Sequence, residues 1–401
     1  MAIMRFNREL IRENWAFILL AFAVFAINFN MGITQSVQTN FFKQDLGMVG
    51  TQMGIMTAGR EFTGFIIVAV AALTMRFAPA KVAAASILLM ALGYGGYASV
   101  QSFPHLMVVV VIGGMGFHGW LQLYFALGLS LAKPGQEGRI MGRLSSIGSV
   151  GTLVAMAITY LIVNTVTMRG MFVVSAFVIV LGGLGLFLLP PLKGAVRQQS
   201  FVLKRQYWLY YLLQFLEGCR FEIFQTFALF ALVDVYGVDV QTITLLLIFN
   251  AITNWYVAPI FGKLVDTRGE RWVLTLTYVM HTLAFTGFAL VHNVWFLYAM
   301  YVLVRIFMVA GMSINTYIRK IAEPKDLSTS LAMGVSASHM AAIVIPITGG
   351  ILWQTFGYEI SFAFGVFFVV LSLYFAQKIR ITDYRPEYQA LHAAAASGRA
   401  H

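Results

Sequence analysis

The sequence predicts an all-α membrane protein of twelve transmembrane helices in two pseudo-symmetric six-helix bundles. Three observations predict it. Of 401 residues, 59% are hydrophobic and only 11% charged, against about 25% charged in a soluble protein, so the polar surface of a soluble enzyme this long cannot be built. The apolar residues fall in repeated runs of roughly 20, enough for a helix to cross a bilayer. Landmarks of the first half also recur in the second at a near-constant offset. Alternating strand patterns are absent, and open sheet edges cannot exist in lipid, which leaves helices.

The spans follow in order. The first, near Trp15–Val37, comes after a polar stretch holding Arg5, Arg8 and Arg12. The second, Thr51–Thr74, contains Arg60 and Glu61 and is followed by Arg76 and Lys81. The third is Lys81–Gln101. The fourth, Leu106–Leu131, carries His118 and Gln122 and precedes Lys133, Arg139 and Arg143. The fifth and sixth, Gly138–Val163 and Gly170–Leu189, flank Arg169. The stretch Pro190–Gln206, with Pro190-Pro191 and four basic residues, reads as a linker. The seventh span, Tyr207–Leu232, is the richest in charge. The eighth, Val240–Leu264, carries Asn250 and Asn254 and leads to Lys263, Arg268 and Arg271. The ninth is Trp272–Val291. The tenth, Trp295–Ile318, contains Arg305 and precedes Arg319, Lys320 and Lys325. The eleventh, Leu327–Trp353, holds His339, and the twelfth is Gly357–Ala376. The expected division is therefore residues 1–189, a linker at 190–206, residues 207–380 and a tail at 381–401.

Charge sets the expected orientation. An even number of spans puts both termini on one side, and 22 of the 27 Lys and Arg residues collect there. The opposite loops hold only Lys43 and Arg169, so the termini and the linker are expected in the cytoplasm, with the protein in a bacterial-style inner membrane. The same asymmetry accounts for the net charge of +11 without a nucleic-acid partner. The single cysteine, Cys219, excludes an intrachain disulfide and a thiolate metal cluster. No His pair has metal spacing, no phosphate-cradling Gly-Lys-Ser/Thr loop exists, and no catalytic set gathers near an interface. The expectation is no cofactor, no metal and no enzymatic activity.

Duplication sharpens this picture. Leu131-Ala132-Lys133-Pro134 and Ile321-Ala322-Glu323-Pro324 stand 190 residues apart, and Leu73 and Leu264, each just before a basic loop, stand 191 apart. Two six-span halves joined by a cytoplasmic loop form a transporter architecture. The loop Gly262-Lys263-Leu264-Val265-Asp266-Thr267-Arg268-Gly269-Glu270-Arg271 resembles the Gly-x-Leu-x-Asp-x-x-Gly-x-Arg/Lys signature of the major facilitator superfamily. Its first-half counterpart, Ala71 to Pro79, is degraded, with Met75 and Ala78 where the acid and the glycine would stand. The resemblance implies alternating access around a central cavity. It also implies that Gly262, Asp266, Arg268 and Gly269 belong to a cytoplasmic gate, with Asp266 and Arg268 as a latch. The glycine-proline motif of proton antiporters is not clearly present: Gly148-Ser149-Val150-Gly151 has no proline.

Ionisable groups within spans cost about 2.5–3.5 kcal/mol each on insertion scales, so they usually face a cavity or a partner. Here they are Arg60, Glu61, Glu217, Arg220, Glu222 and Arg305. Glu217 and Arg220 are three apart and share a helix face, whereas Glu222 lies on another. One reading makes Arg220 a site for a substrate anion and Glu217 or Glu222 the proton carrier, since a carboxyl in a low-dielectric cavity can hold its proton near neutral pH. The competing reading is a permanent Glu217–Arg220 pair. Arg60 is weighed evenly between substrate contact and structural pairing, and Glu61 is a further proton-coupling candidate. Arg305 is expected to bridge to Glu222 or Glu61. Asn28, Gln122, Asn250 and Asn254 are amide candidates for substrate hydroxyls, although amides also join helices. His118 and His339 read as satisfied structural groups.

The function expected is a monomeric, proton-coupled secondary transporter of a small organic solute, anionic if the arginines are the contacts. One alternative is a proton-driven antiporter expelling drugs or lipophilic cations. Another, of a different class, is a non-transporting sensor or scaffold.

Overall fold

The computed structural model describes residues 2–74, 76–132, 135–189 and 203–380. Residues 190–202 of the expected linker and the whole tail from 381 lie outside the described residues, as do Met75, Lys133 and Pro134. The elements are α1 (Ala2–Asn40), α2 (Gly50–Thr74), α3 (Pro79–Gly96), α4 (Phe103–Ser130), α5 (Glu137–Phe187), α6 (Trp208–Asp234), α7 (Val240–Arg268), α8 (Glu270–Leu290), α9 (Val294–Met308), α10 (Met312–Ile321), α11 (Pro324–Phe356) and α12 (Tyr358–Ala376).

Among the described residues, nine stretches are long and apolar enough to cross a membrane. They account for ten of the expected spans, because α5 contains two. Its 51 residues would measure about 76 Å as one helix, more than twice a hydrocarbon core of about 30 Å. The break falls at Thr167, with φ 65° and ψ 162°. The other two expected spans are α2 and α6, of 25 and 27 residues, and they carry charged residues within their length. The tenth expected span is α9 and α10 in sequence, joined through a 3₁₀ turn at Val309–Gly311.

Local sequence explains the ends. Pro79 sits in the first turn of α3, where its missing N–H is harmless. Asn293 caps α9, its side chain accepting from the N–H groups of Trp295 and Phe296 at 3.0 and 3.1 Å. Gly269, at φ +82°, turns the chain between α7 and α8, a conformation that favours glycine.

Two compact units form. The first comprises Met1–Val196 and Val233–Ile248, the second Arg197–Leu232 and Phe249–His401. The segment Val233–Ile248, expected with the second half, thus belongs to the first unit. Polar contacts hold it there. Asn40 Nδ2 donates to the Val238 carbonyl at 2.7 Å, Lys43 Nζ meets Asp234 at 2.5 Å, and Asn164 Nδ2 donates to Gln241 at 3.2 Å.

In the first unit α1 packs along α5, and α3 and α4 pack together. The α3–α4 contact depends on glycine. A Cβ on Gly93 would lie 2.2 Å from the Gly113 nitrogen, and one on Gly116 would lie 2.3 Å from the Met90 nitrogen. With backbones this close, dispersion across the contact does what hydrophobic exclusion does in water. In the second unit α8 packs against α9 and α12, and α11 against α12.

Candidate functional site

The polar belt of α6 is the centre of the second unit's site. Helical spacing puts Glu217 and Arg220 on one face, and Arg220 Nη2 ion-pairs with Glu217 Oε2. The carboxylate also lies against Gly311, whose Cβ, if it had one, would sit 3.1 Å from Oε1. Arg220 is 1% exposed. From α8, one turn apart, His281 and Tyr278 complete the surroundings: Arg220 Nη1 meets His281 Nδ1, and its guanidinium lies 4.9 Å over the Tyr278 ring. His281 Nε2 meets the Val304 carbonyl of α9 at 3.1 Å.

The hydrogen-bond inventory assigns the imidazole tautomer. A carbonyl only accepts and a guanidinium only donates, so Nε2 carries the hydrogen and Nδ1 offers its lone pair to Arg220. His281 therefore acts as a neutral acceptor that aims the guanidinium. A proton on Nδ1 would set N–H against N–H.

Other expected residues fall elsewhere. Glu222 is buried at 6% exposure. Arg305 Nη1 donates to Gln225 Oε1 at 3.4 Å. Gln225 lies three residues beyond Glu222 along α6. Asn250 is 1% exposed, and neither of its amide atoms has a hydrogen-bond partner among the described residues. Asn254, one turn on, is half-buried with its Oδ1 also unpartnered.

The first unit holds a second ionisable cluster. In α2, Arg60 Nη2 and Nε lie 3.0 and 3.1 Å from Glu61 Oε1. His118 of α4 brings Nε2 to 3.9 Å from Glu61 Oε2. Asn28 donates to the Val24 carbonyl of its own helix at 2.8 Å and lies against Gly148. Gln122 is exposed. At the expected gate, Asp266 is exposed and Arg268 lies 5.7 Å over the Trp272 ring; Gly262 has open space around it. The buried ion pair beside this loop is instead Glu270–Lys320 at 2.5 Å, with Glu270 1% exposed.

A cavity of about 600 Å³ in the first unit is lined by Asp45, Asn164, Thr167, Arg169, Asp239 and Gln241 among others. Arg169 donates to Asp45 at 3.0 Å and to the carbonyls of Ala98 and Val100 at 3.0 and 2.7 Å, so its charge is committed to the walls.

Sequence reasoning missed His281, Tyr278 and Gln225. A lone histidine in the ninth span gives no signal until the fold sets it opposite Arg220.

The family model of the Major Facilitator Superfamily matches residues 20–209 and 210–396. Among solved structures, the nucleoside transporter NupG superposes with a TM-score of 0.72 at 15% identity, covering 92% of this chain and all of that one. A bacterial homologue of the human lysosomal transporter Spinster, inward-facing and occupied, gives 0.73 at 16% identity, covering 92% and 98%. A D-xylose–proton symporter gives 0.69 at 15% identity, covering 92% and 98%. Among curated proteins, the chain is 32% identical over 110 residues to a multi-drug resistance efflux pump PmrA homolog of Lactococcus lactis, a match spanning 27% of this chain and 26% of that protein. Identities of 15–16% speak to the fold alone, and the short match reaches about a quarter of the relative's length. The family match runs through both halves of this multi-pass protein: the chain belongs to the Major Facilitator Superfamily, whose members are transporters working by alternating access.

Proposed function

We propose that the protein is a proton-coupled secondary transporter of a small, polar organic solute, acting as a monomer in a cytoplasmic membrane with both termini inside. The observation that carries the reading is the ionisable cluster Arg60–Glu61–His118 within the spans. Charges at such depth are retained for cargo or protons far more often than for stability. Substrate contacts follow from what is left uncommitted. The Asn250 amide offers a donor and an acceptor without partners among the described residues, which suits a hydroxyl or amide. Arg305 is half-buried with its Nε unpartnered, and serves any anionic group. Arg220 is occupied by Glu217 and His281, so its role is to frame the site.

The efflux-pump relative favours a second reading, expulsion of lipophilic cations, in which the buried Glu222 is the carrier's acid. A thermal-shift screen of purified protein against organic anions, neutral sugars and nucleosides, and lipophilic cations separates the two, because a ligand stabilises in proportion to its occupancy of the folded state. Stabilisation by polar solutes that is lost in Asn250→Ala supports the first reading. Hits confined to lipophilic cations overturn it.

A further inference from the structure

The two ionisable clusters share a composition of one carboxylate, one guanidinium and one imidazole, but their geometry gives them different capacities for a proton. In the second unit both Glu217 and His281 are turned to Arg220. His281 uses Nε2–H on the Val304 carbonyl and its Nδ1 lone pair on Arg220. Glu217 faces the same guanidinium, and neutralising it would leave a cation at 1% exposure without its counter-charge, which a buried site tolerates poorly. A proton on Glu217 is therefore opposed by the burial of Arg220.

The first unit is arranged the other way. Glu61 divides its oxygens: Oε1 takes Arg60, and Oε2 faces His118 Nε2 across 3.9 Å. The imidazole thus looks at a carboxylate instead of a cation. A proton on Nε2 makes an ion pair with Oε2, and a proton on Oε2 leaves Oε1 to accept from Arg60, so one proton is accepted in either place without breaking the Arg60 hydrogen bond. Two phenols flank the pair. Tyr94 of α3 lies within electrostatic reach of Arg60 and Glu61, and Tyr97 within reach of Arg60; both are phenols, neutral near pH 7. Gly64 lets the ring lie flat against α2: a Cβ there would stand 3.2 Å from both Nδ1 and Cε1 of His118. Arg60 and Glu61 keep side-chain exposures of 26% and 13%.

We propose that the coupling proton is carried by the Glu61–His118 pair between α2 and α4, with His118 as its relay, and that Glu217–Arg220–His281 is a proton-inert frame. This rests on the proton-coupled reading above. The test reads protonation directly, by pH-difference infrared spectroscopy of the full chain in lipid nanodiscs. The carboxyl band that appears on acidification is expected to lose intensity in Glu61→Gln. Its midpoint is expected to move by about one pH unit in His118→Gln, and to stay in place in Glu217→Gln. Should Glu61→Gln fail to fold, Glu61→Asp, which shortens the reach to His118, is expected to move the midpoint as well. A band unchanged in Glu61→Gln, a midpoint unmoved by both His118→Gln and Glu61→Asp, or a band lost in Glu217→Gln overturns the assignment. Failure of the coupling itself shows separately: proteoliposomes of the unaltered protein with a pH-sensitive dye inside then take up solute without acidifying, whatever the infrared titration reports.

Discussion

The guanidinium of Arg220 touches a carboxylate, an imidazole and a phenol ring, and each contact implies a different loss on mutation. Arg220→Ala leaves Glu217 facing a void; removing one partner of a buried pair costs about 3–5 kcal/mol. Arg220→Lys keeps the charge but not the planar fork that reaches Glu217 and His281 together, and is expected to recover less than half of that. His281→Phe fills the space but removes the acceptor, at about 1–3 kcal/mol for an unsatisfied buried donor, whereas His281→Gln retains one and is expected to cost less. Melting temperatures in detergent rank the four variants. Equal stability for His281→Phe and His281→Gln would show that the imidazole is mere filling. The Glu217–Arg220 contact was legible in sequence because residues three apart on a helix must share a face. His281 was not, because periodicity tells which way a side chain points on its own helix and nothing about the helix it meets. The same gap explains Arg305: charge matching pointed to Glu222 or Glu61, and could not foresee the contact with Gln225.

At the level of elements, hydropathy located helices well and their joints poorly. The expected fourth span, Leu106–Leu131, became Phe103–Ser130, an end shift of one to three residues. The turn at Thr167, the π-helical turn at Phe41–Asp45 and the 3₁₀ turn inside the tenth span left no mark in composition, since each is a backbone solution to packing. Glycine spacing was more informative. Gly93→Ala and Gly116→Ala each push a methyl into facing backbone, and both are expected to lower the melting temperature by several degrees, at about 1–3 kcal/mol for an overpacked contact. Gly185→Ala, whose Cβ would find only Leu19 Cδ2 at 3.8 Å, is the control and should change nothing. If all three behave alike, close approach is not what these glycines serve.

For the whole molecule, alternating access requires that contacts at one end of the bundle part during the cycle. The polar clasp from α1 and α5 to the α6–α7 turn, through Asn40, Lys43 and Asn164, is a candidate for that parting. Joining Asn164→Cys to Gln241→Cys with a short bifunctional maleimide is expected to stop solute uptake in proteoliposomes at least tenfold, a loss of about 1.4 kcal/mol in rate terms. Undiminished uptake after complete cross-linking would mean that this clasp never opens. Orientation is tested with the single native cysteine, Cys219, buried and so silent to reagents. A membrane-impermeant maleimide should label His292→Cys in intact cells and Lys325→Cys only after permeabilisation; the reverse pattern would invert the expected topology.

The break at Thr167 also bears on biogenesis. The fifth and sixth spans are parted by a single non-helical residue, Thr167, and Asn164 and Arg169 flank the bend. Neither span can therefore settle in the bilayer long before the other. So short a joint favours their entry into the bilayer together, as one helical hairpin.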